Sequence, residues 1–254
     1  MKREKIAAQM YSLRHELEKN PEETFKNLKE IGFQSIQLDG MRGHSIYEIH
    51  ELVKKYEFTI AGMHIKHERF FDDIDGIIQE AILFGSKIIY DKYIDDEEQH
   101  EEGYIKTKKQ LLKVQKMLGP LGFQVGLHCP EYDFNNEIHS RNVLDYITDP
   151  ELGTTLLAEP DTYWMSVAQR NPIEEIKKFS GRAPILHLKD YKKGFDAKDM
   201  ENNLTELGKG DVDFQSIIHW GESNGVEYYC IEQDYSKIGI FNSMQQSFDY
   251  LKKM

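Results

Sequence analysis

Residues 184–190 read PILHLKD, an apolar run that gives way to an imidazole at His187, a cation at Lys189 and an acid at Asp190. A short run of this kind, bounded by proline, reads as a buried strand. Side chains alternate along a strand, so His187 and Lys189 share a face. Two more runs have the same form. TTLLAEPDTYW (154–164) leads to Asp161, and YYCIEQD (228–234) leads to Glu232. Carboxylate, imidazole and carboxylate at the ends of successive strands converge only if those strands are parallel neighbours. Parallel α/β barrels build their active sites at that carboxyl end.

Outward from these runs, short β-rich stretches alternate with amphipathic helices along the whole chain. The expected strands are Ile6–Gln9, Ser35–Leu38, Thr59–His64, Lys87–Tyr90, Gln124–His128, Thr154–Ala158, Pro184–Leu188 and Tyr228–Ile231. Asn20 and Pro21 open a helix whose Phe25, Leu28 and Ile31 recur at helical spacing, and Gly32 ends it. Ser45 caps a helix containing Ile46, Ile49, Leu52 and Val53. Ile74–Phe84 is expected to present Ile77, Ile78, Ala81 and Ile82 on one face, with Gly85 as its stop. A long helix carries Leu111, Leu112, Val114 and Leu118. Helices over Arg141–Ile147, Pro172–Phe179, Phe214–Asn224 and Ser243–Lys252 complete the pattern.

Strict alternation implies α/β with a parallel sheet. Eight such units in 254 residues fit one closed (β/α)8 TIM barrel over residues 1–254, since such barrels typically take about 250 residues. A doubly wound sheet would more often show a glycine-rich phosphate turn after the first strand, and MYSLRHELEKN (10–20) has none. The longest connection, Tyr191–Val212, follows the seventh strand and could serve as a lid.

A formal net charge of -12 disfavours non-specific attraction to nucleic acid. No apolar stretch approaches the ~20 residues that span a bilayer, and MKREKIAAQMYSL lacks a secretory h-region, so the expected location is cytoplasmic. Cys129 and Cys230 are too few for a disulfide scaffold and are expected to be reduced.

Asp161, His187 and Glu232 offer two carboxylates and an imidazole, a donor set suited to Mn²⁺, Mg²⁺, Zn²⁺, Co²⁺ or Fe²⁺ with positions left open. Such a cation polarises a carbonyl. GLHCPEYDF (126–134) supplies His128, Glu131 and Asp133 as candidates for the fourth ligand or a general acid/base. His64 ends the third strand at the same mouth. Lys189, beside the metal candidates, could hold an oxyanion, or pair structurally with Asp190 or Asp234. Tyr11, Tyr90, Tyr132, Tyr163 and Trp164 are aromatic surfaces near the mouth. His67, His100, His139 and His219 fall in expected loops or helices and read as surface residues. Gly208 and Gly210 lack P-loop spacing and read as a tight turn, with Asp211 or Asp213 capping the next helix.

In this order, QMYSLR (9–14), EIGFQSIQ (30–37), DTYW (161–164), GRAPILHLKD (181–190), LGKGDVDF (207–214) and IEQD (231–234) resemble the sugar phosphate isomerase/epimerase family of xylose-isomerase-like TIM barrels. The resemblance spans essentially the whole chain. It implies a divalent-metal barrel acting on a sugar, a sugar phosphate, an inositol derivative or a related keto-polyol, and it allows a homodimer. It matches Asp161, His187 and Glu232 to metal ligands and His64 to a substrate-side histidine; His128 and Asp133 are the further candidate ligands, and Glu232, Asp133, His64 and Lys189 the candidate catalytic groups, with the second acid/base open between Asp133, Glu131 and His128. Gln9, Tyr11, His64, Trp164 and Lys189 are then the residues expected to touch substrate. The chain departs from the family at the fifth strand, where a metal-binding glutamate is replaced by His128-Cys129-Pro130 with Asp133 following, and at Gln37, where a glutamate is common. Close relatives of such enzymes include dehydratases and lyases of keto-sugars or inososes. A non-catalytic sugar-binding barrel is the further alternative that the missing glutamates suggest. Endonucleases of the superfamily use a fuller set of His and Glu ligands than this chain has.

Overall fold

A computed structural model describes residues 1–254, apart from the side chains of Glu131 and Leu152. Eight parallel strands form one sheet: β1 (Ile6–Gln9), β2 (Ser35–Asp39), β3 (Thr59–Ile65), β4 (Ile88–Asp91), β5 (Gln124–His128), β6 (Leu157–Glu159), β7 (Ile185–Leu188) and β8 (Tyr228–Ile231). Their spatial order is β6-β5-β4-β3-β2-β1-β8-β7. The two outer strands meet to close a TIM barrel. The Arg182 carbonyl accepts from the Ala158 amide at 2.9 Å, the Pro160 carbonyl accepts from the His187 amide at 2.9 Å, and Asp161 bridges His187 in parallel register. The seam therefore falls beside the residues expected to hold a metal.

Alternation along the strands divides the apolar core in two. Outward residues such as Ile6, Ala8, Ile36, Ile89, Val125, Leu186 and Tyr229 pack beneath the helices. Inward residues Ala7, Ala61, Ile88, Tyr90, Leu157, Ile185 and Cys230 form a separate plug inside the barrel. Two residues further along several strands the inward face turns polar: Gln9 follows Ala7, Glu159 follows Leu157, His187 follows Ile185 and Glu232 follows Cys230. The plug is the dry floor on which that polar layer rests.

The helices lie where periodicity places them, with local differences. Asn20, Ser45 and Asp73 each cap a helix through a side-chain oxygen, and Gly32 and Gly85 end two of them in the left-handed region. Three expectations need correction. The sixth strand begins at Leu157 rather than Thr154, because the Thr154 hydroxyl accepts from the Leu156 amide at 3.0 Å and closes a turn there. Ile82 is exposed, because the inward face of its helix is set by Ile77, Ala81 and Phe84. A short helix over Arg14–Lys19 precedes Pro21, where none was expected. Both cysteines are buried and free. Among the described residues, no helix is long and apolar enough to cross a membrane.

The 191–212 connection is tied down from its root. A two-residue ribbon pairs Asp190–Tyr191 with Leu204–Thr205. The Asp190 carboxylate accepts from the amides of Gly208 at 2.9 Å, Gly210 at 2.8 Å and Val212 at 3.2 Å. A Cβ at Gly210 would stand 2.2 Å from Asp190 Oδ1, which explains that glycine. Asp213 caps the following helix, accepting from the Ser216 amide at 3.0 Å.

Gly126 is fixed by the barrel interior. A Cβ there would lie 2.5 Å from the Leu157 carbonyl oxygen and 2.5 Å from Tyr90 Cε1. Gly126→Ala should cost about 1–3 kcal/mol by overpacking. Urea unfolding would read this as a lowered midpoint, and an unchanged midpoint would contradict so tight an interior.

Candidate metal centre at the barrel mouth

The carboxyl ends of β5 to β8 bring four donors together. His128 Nε2, Asp161, His187 and Glu232 each place one ligand atom within 4.8 Å of the others, and all four residues are buried. Asp161 is positioned by local sequence, because one of its oxygens caps the helix Thr162–Val167, accepting from the Tyr163 amide at 2.8 Å. Its other oxygen, Oδ2, is aimed into the barrel. His128 donates through Nδ1 to the Lys92 carbonyl at 3.1 Å, so Nε2 carries its lone pair.

His128 Nε2 and Asp161 Oδ2 face each other at 3.6 Å. Neither has a hydrogen-bond partner, although both are buried. Two acceptors turned towards one another in a dry site call for a cation between or beside them. The Lys189 ammonium partly answers this, 3.0 Å from Asp161 Oδ2, 3.3 Å from Glu232 Oε2 and 3.2 Å from Asp234 Oδ2. His187 Nδ1 lies 2.7 Å from Glu232 Oε2. Two imidazole nitrogens and two carboxylate oxygens fit a divalent cation of the zinc or manganese type.

A second set, His64, His128, Glu159 and His187, is equally compact. Apart from His128, its members are already engaged with one another and with Gln37. Glu159 Oε2 meets His64 Nε2 at 2.5 Å, and Glu159 Oε1 accepts from Gln37 Nε2 at 2.6 Å. That contact fixes the Gln37 amide, since an ionised carboxylate accepts only. Gln37 Oε1 must then face His187, and it accepts from His187 Nε2 at 2.8 Å. Glu159 and Gln37 thus hold the proton on Nε2 of His187, so that Nδ1 is the nitrogen turned to the metal set, where a cation would have to displace the proton that Nδ1 shares with Glu232.

The charges sustain each other. Burial works against ionising Glu159, but His187 and His64 outweigh it and hold the carboxyl far below its ordinary value. Burial likewise opposes charging His187, yet Glu159 and Glu232 raise it to about 10. His64 is raised by Glu159 and Asp39 against its burial. Glu232 stays ionised despite burial because Lys189 and His187 stand beside it. His128 is lowered by burial and by the neighbouring positive rings, which suits a neutral ligand. Burial and the adjoining carboxylates Glu232 and Asp161 raise Asp234 to about 7, against the pull of Lys189.

A cavity of about 510 Å³ opens above this set. His64, His128, Lys189 and Glu232 line it, as do Tyr11 and Trp164. Gln9 lies below, fully buried, with Nε2 3.4 Å from His64 Nδ1. Lys189 pairs with Asp234 and not with Asp190, which points to the opposite face of its strand. Asp133 is elsewhere. Its carboxylate accepts from the Leu144 amide and from Cys129 Sγ, and it is not among the cavity-lining residues. The short 3-10 turn Glu131–Phe134 carries it outward against the helix Val143–Thr148. The Glu131 side chain lies outside the described residues. His67, expected at the surface, is buried and meets Asp91 through Nδ1 at 2.6 Å.

Several residues of the site escaped sequence reading: Glu159, Asp39, Lys92 and Arg14. Glu159 did leave a signal, since it breaks an apolar strand two positions before Asp161 and must share its face. Asp39 ends β2, Lys92 follows β4 and Arg14 opens the helix Arg14–Lys19, and nothing in their spacing announces that they meet.

No family model and no curated protein sequence matches the chain. Solved structures do. Its fold is that of the xylose-isomerase-like TIM barrels. A sugar phosphate isomerase/epimerase from Parabacteroides distasonis is similar at a TM-score of 0.80, covering 98% of each chain at 18% identity. The IolI protein with a bound zinc atom is similar at 0.75, with 98% of this chain and 97% of that one covered at 13% identity. The probable 3-DHS dehydratase of petrobactin synthesis from Bacillus anthracis reaches 0.72, covering 98% of each chain at 13% identity.

Gln37→Leu should weaken Zn²⁺ or Mn²⁺ binding by about 10–100-fold, measured by competition with a chromophoric chelator. Unchanged affinity would remove the orienting role given to Gln37. For Asp133, burial raises the carboxyl from 3.8 to about 7, against the pull of the Leu144 amide and the Cys129 thiol. A folded-state pKa above the unfolded one means that the protonated form supports the fold. That contribution is complete below about pH 4 and is lost as pH rises through about 7. Asp133→Asn cannot ionise, so it should exceed the wild type in stability at about pH 8 by on the order of 1 kcal/mol or more, with little gain near pH 4. Its metal affinity should not change.

Proposed function

We propose that the protein is a divalent-metal-dependent isomerase or epimerase of a sugar, a sugar phosphate or a related keto-polyol. One observation carries this reading: the buried acceptors His128 Nε2 and Asp161 Oδ2 face each other at 3.6 Å, with only the Lys189 ammonium beside Asp161, ringed by His187 and Glu232 at the carboxyl end of the barrel. The likeness to an isomerase/epimerase and to a zinc-bound barrel supports it. When bound, a divalent cation would polarise a substrate carbonyl and acidify the adjacent C–H.

The chain's own groups do the rest. Glu232 is ionised and lines the cavity, so its carboxylate can take a proton from the carbon beside that carbonyl. His64 lines the cavity from β3 with both nitrogens held by Glu159 and Asp39, which favour its charged form against burial, so it can set positive charge beside a developing oxyanion. The Lys189 ammonium adds a fixed positive charge beside Glu232. Trp164 and Tyr11 offer apolar faces for a sugar ring. With Asp133 withdrawn from the cavity, His64 and Lys189 act by their charge, and Glu232 is the proton-handling group assigned here.

The test is a screen of ketoses and inososes with added Mn²⁺ in D₂O. Solvent deuterium should enter the substrate, and Glu232→Gln should lower turnover by about 10²–10⁴-fold with the far-UV circular dichroism intact. A product lighter than the substrate by one water would instead indicate the dehydratase or lyase reaction, which begins with the same proton abstraction and then expels a hydroxyl from the neighbouring carbon. A protein that takes up no divalent ion and is not stabilised by one would be a sugar-binding barrel without this chemistry.

A further inference from the structure

The mouth has two halves of different chemistry. β5 to β8 supply all four donors of the metal set. The facing half, after β1, β2 and β4, gathers cations around one aromatic ring. The guanidinium carbon of Arg14 lies 4.4 Å from the Tyr11 ring centroid, that of Arg42 5.6 Å, and the Lys92 ammonium 6.0 Å.

A single carboxylate, Asp39, answers these charges. Lys92 reaches its two oxygens at 3.0 and 3.3 Å, and Arg42 bonds to it as well. His64 Nδ1 is 3.4 Å from the same group. With so many cations about it, and despite burial, Asp39 is held down at about 2. Arg14 has no ion-pair partner among the described residues. Two neutral backbone carbonyls orient it, those of Tyr11 at 3.0 Å and Asp234 at 3.0 Å. Its charge is therefore aimed but not neutralised. Arg14, Lys92 and Tyr11 all line the cavity, whereas Arg42 stands behind them.

Solvated surface cations would scatter, above all in a chain of net charge -12. These converge on one half-buried ring inside the cavity. We propose that Arg14 and Lys92 form an anion subsite over Tyr11, which takes a phosphate or carboxylate carried by the substrate at the end remote from the metal-facing carbons. The inference rests on the isomerase reading and narrows it to acidic sugars. A guanidinium presents paired N–H donors to such a group, and an ammonium adds a point charge.

The experiment titrates the Mn²⁺-loaded protein and the metal-free protein with D-fructose 6-phosphate, D-gluconate and neutral D-fructose by calorimetry. At least one anionic sugar should bind about tenfold or more tightly than D-fructose, and the stronger of the two identifies phosphate or carboxylate as the recognised group. Arg14→Gln and Lys92→Gln should each reduce that preference by about fivefold or more while Mn²⁺ affinity stays unchanged. No preference for either anion, or a preference that survives both substitutions, would overturn the subsite. Failure of Mn²⁺ binding with the anion preference intact would instead count against the isomerase reading and leave the subsite standing.

Discussion

Charge buried inside a closed barrel is the constraint on which the rest depends. Glu159 and His187 are fully buried, and an isolated ion in such a place would cost several kcal/mol. They are tolerable only because Gln37, His64 and Glu232 complete their hydrogen bonds. The barrel seam beside them leaves little freedom to rearrange, since the His187 amide itself closes the sheet. Replacing such a network with hydrophobic residues is often neutral or favourable for stability. Its presence above an apolar plug is therefore better explained by chemistry at the mouth than by a need to hold the fold together.

The network also sorts two imidazoles into different roles. His187 is fixed from below by Gln37, so that Nδ1 faces the carboxylates of Asp161 and Glu232. His128 is fixed from the side by the Lys92 carbonyl and kept neutral by its burial and the positive rings nearby. Each is oriented by residues outside its own strand. His187 depends on Gln37 of β2 across the ring, and His128 on the carbonyl of Lys92 just after the adjacent β4, which couples β2 and the end of β4 to this half of the mouth. Lys92 joins both halves, giving its carbonyl to His128 and its ammonium to Asp39.

Much of the fold could be read from the chain because the signals are local. Apolar runs bounded by glycine or proline marked the strands, and helical spacing with Asn20, Ser45 and Asp213 marked the helix starts. The errors were local as well. Thr154 turned its hydroxyl to the backbone and delayed β6, and Ile82 was assigned to the wrong face of a helix that Ile77, Ala81 and Phe84 orient. At the site, strand alternation brought out Asp161, His187, Lys189 and Glu232, since a polar residue ending an apolar strand has few places to go. Asp133 misled because a 3-10 turn has no alternation to follow, and its carboxylate was drawn to the Leu144 amide.

By itself the sequence determined the alternating units, the barrel and the polar strand ends, because burial periodicity is written in neighbouring residues. Only the tertiary structure decided which of those ends converge, that Gln37 and Glu159 orient His187, and that Arg14 and Lys92 stand together over Tyr11. Contacts of that kind join residues tens to hundreds of positions apart, and ring closure, which no local pattern encodes, sets their distances.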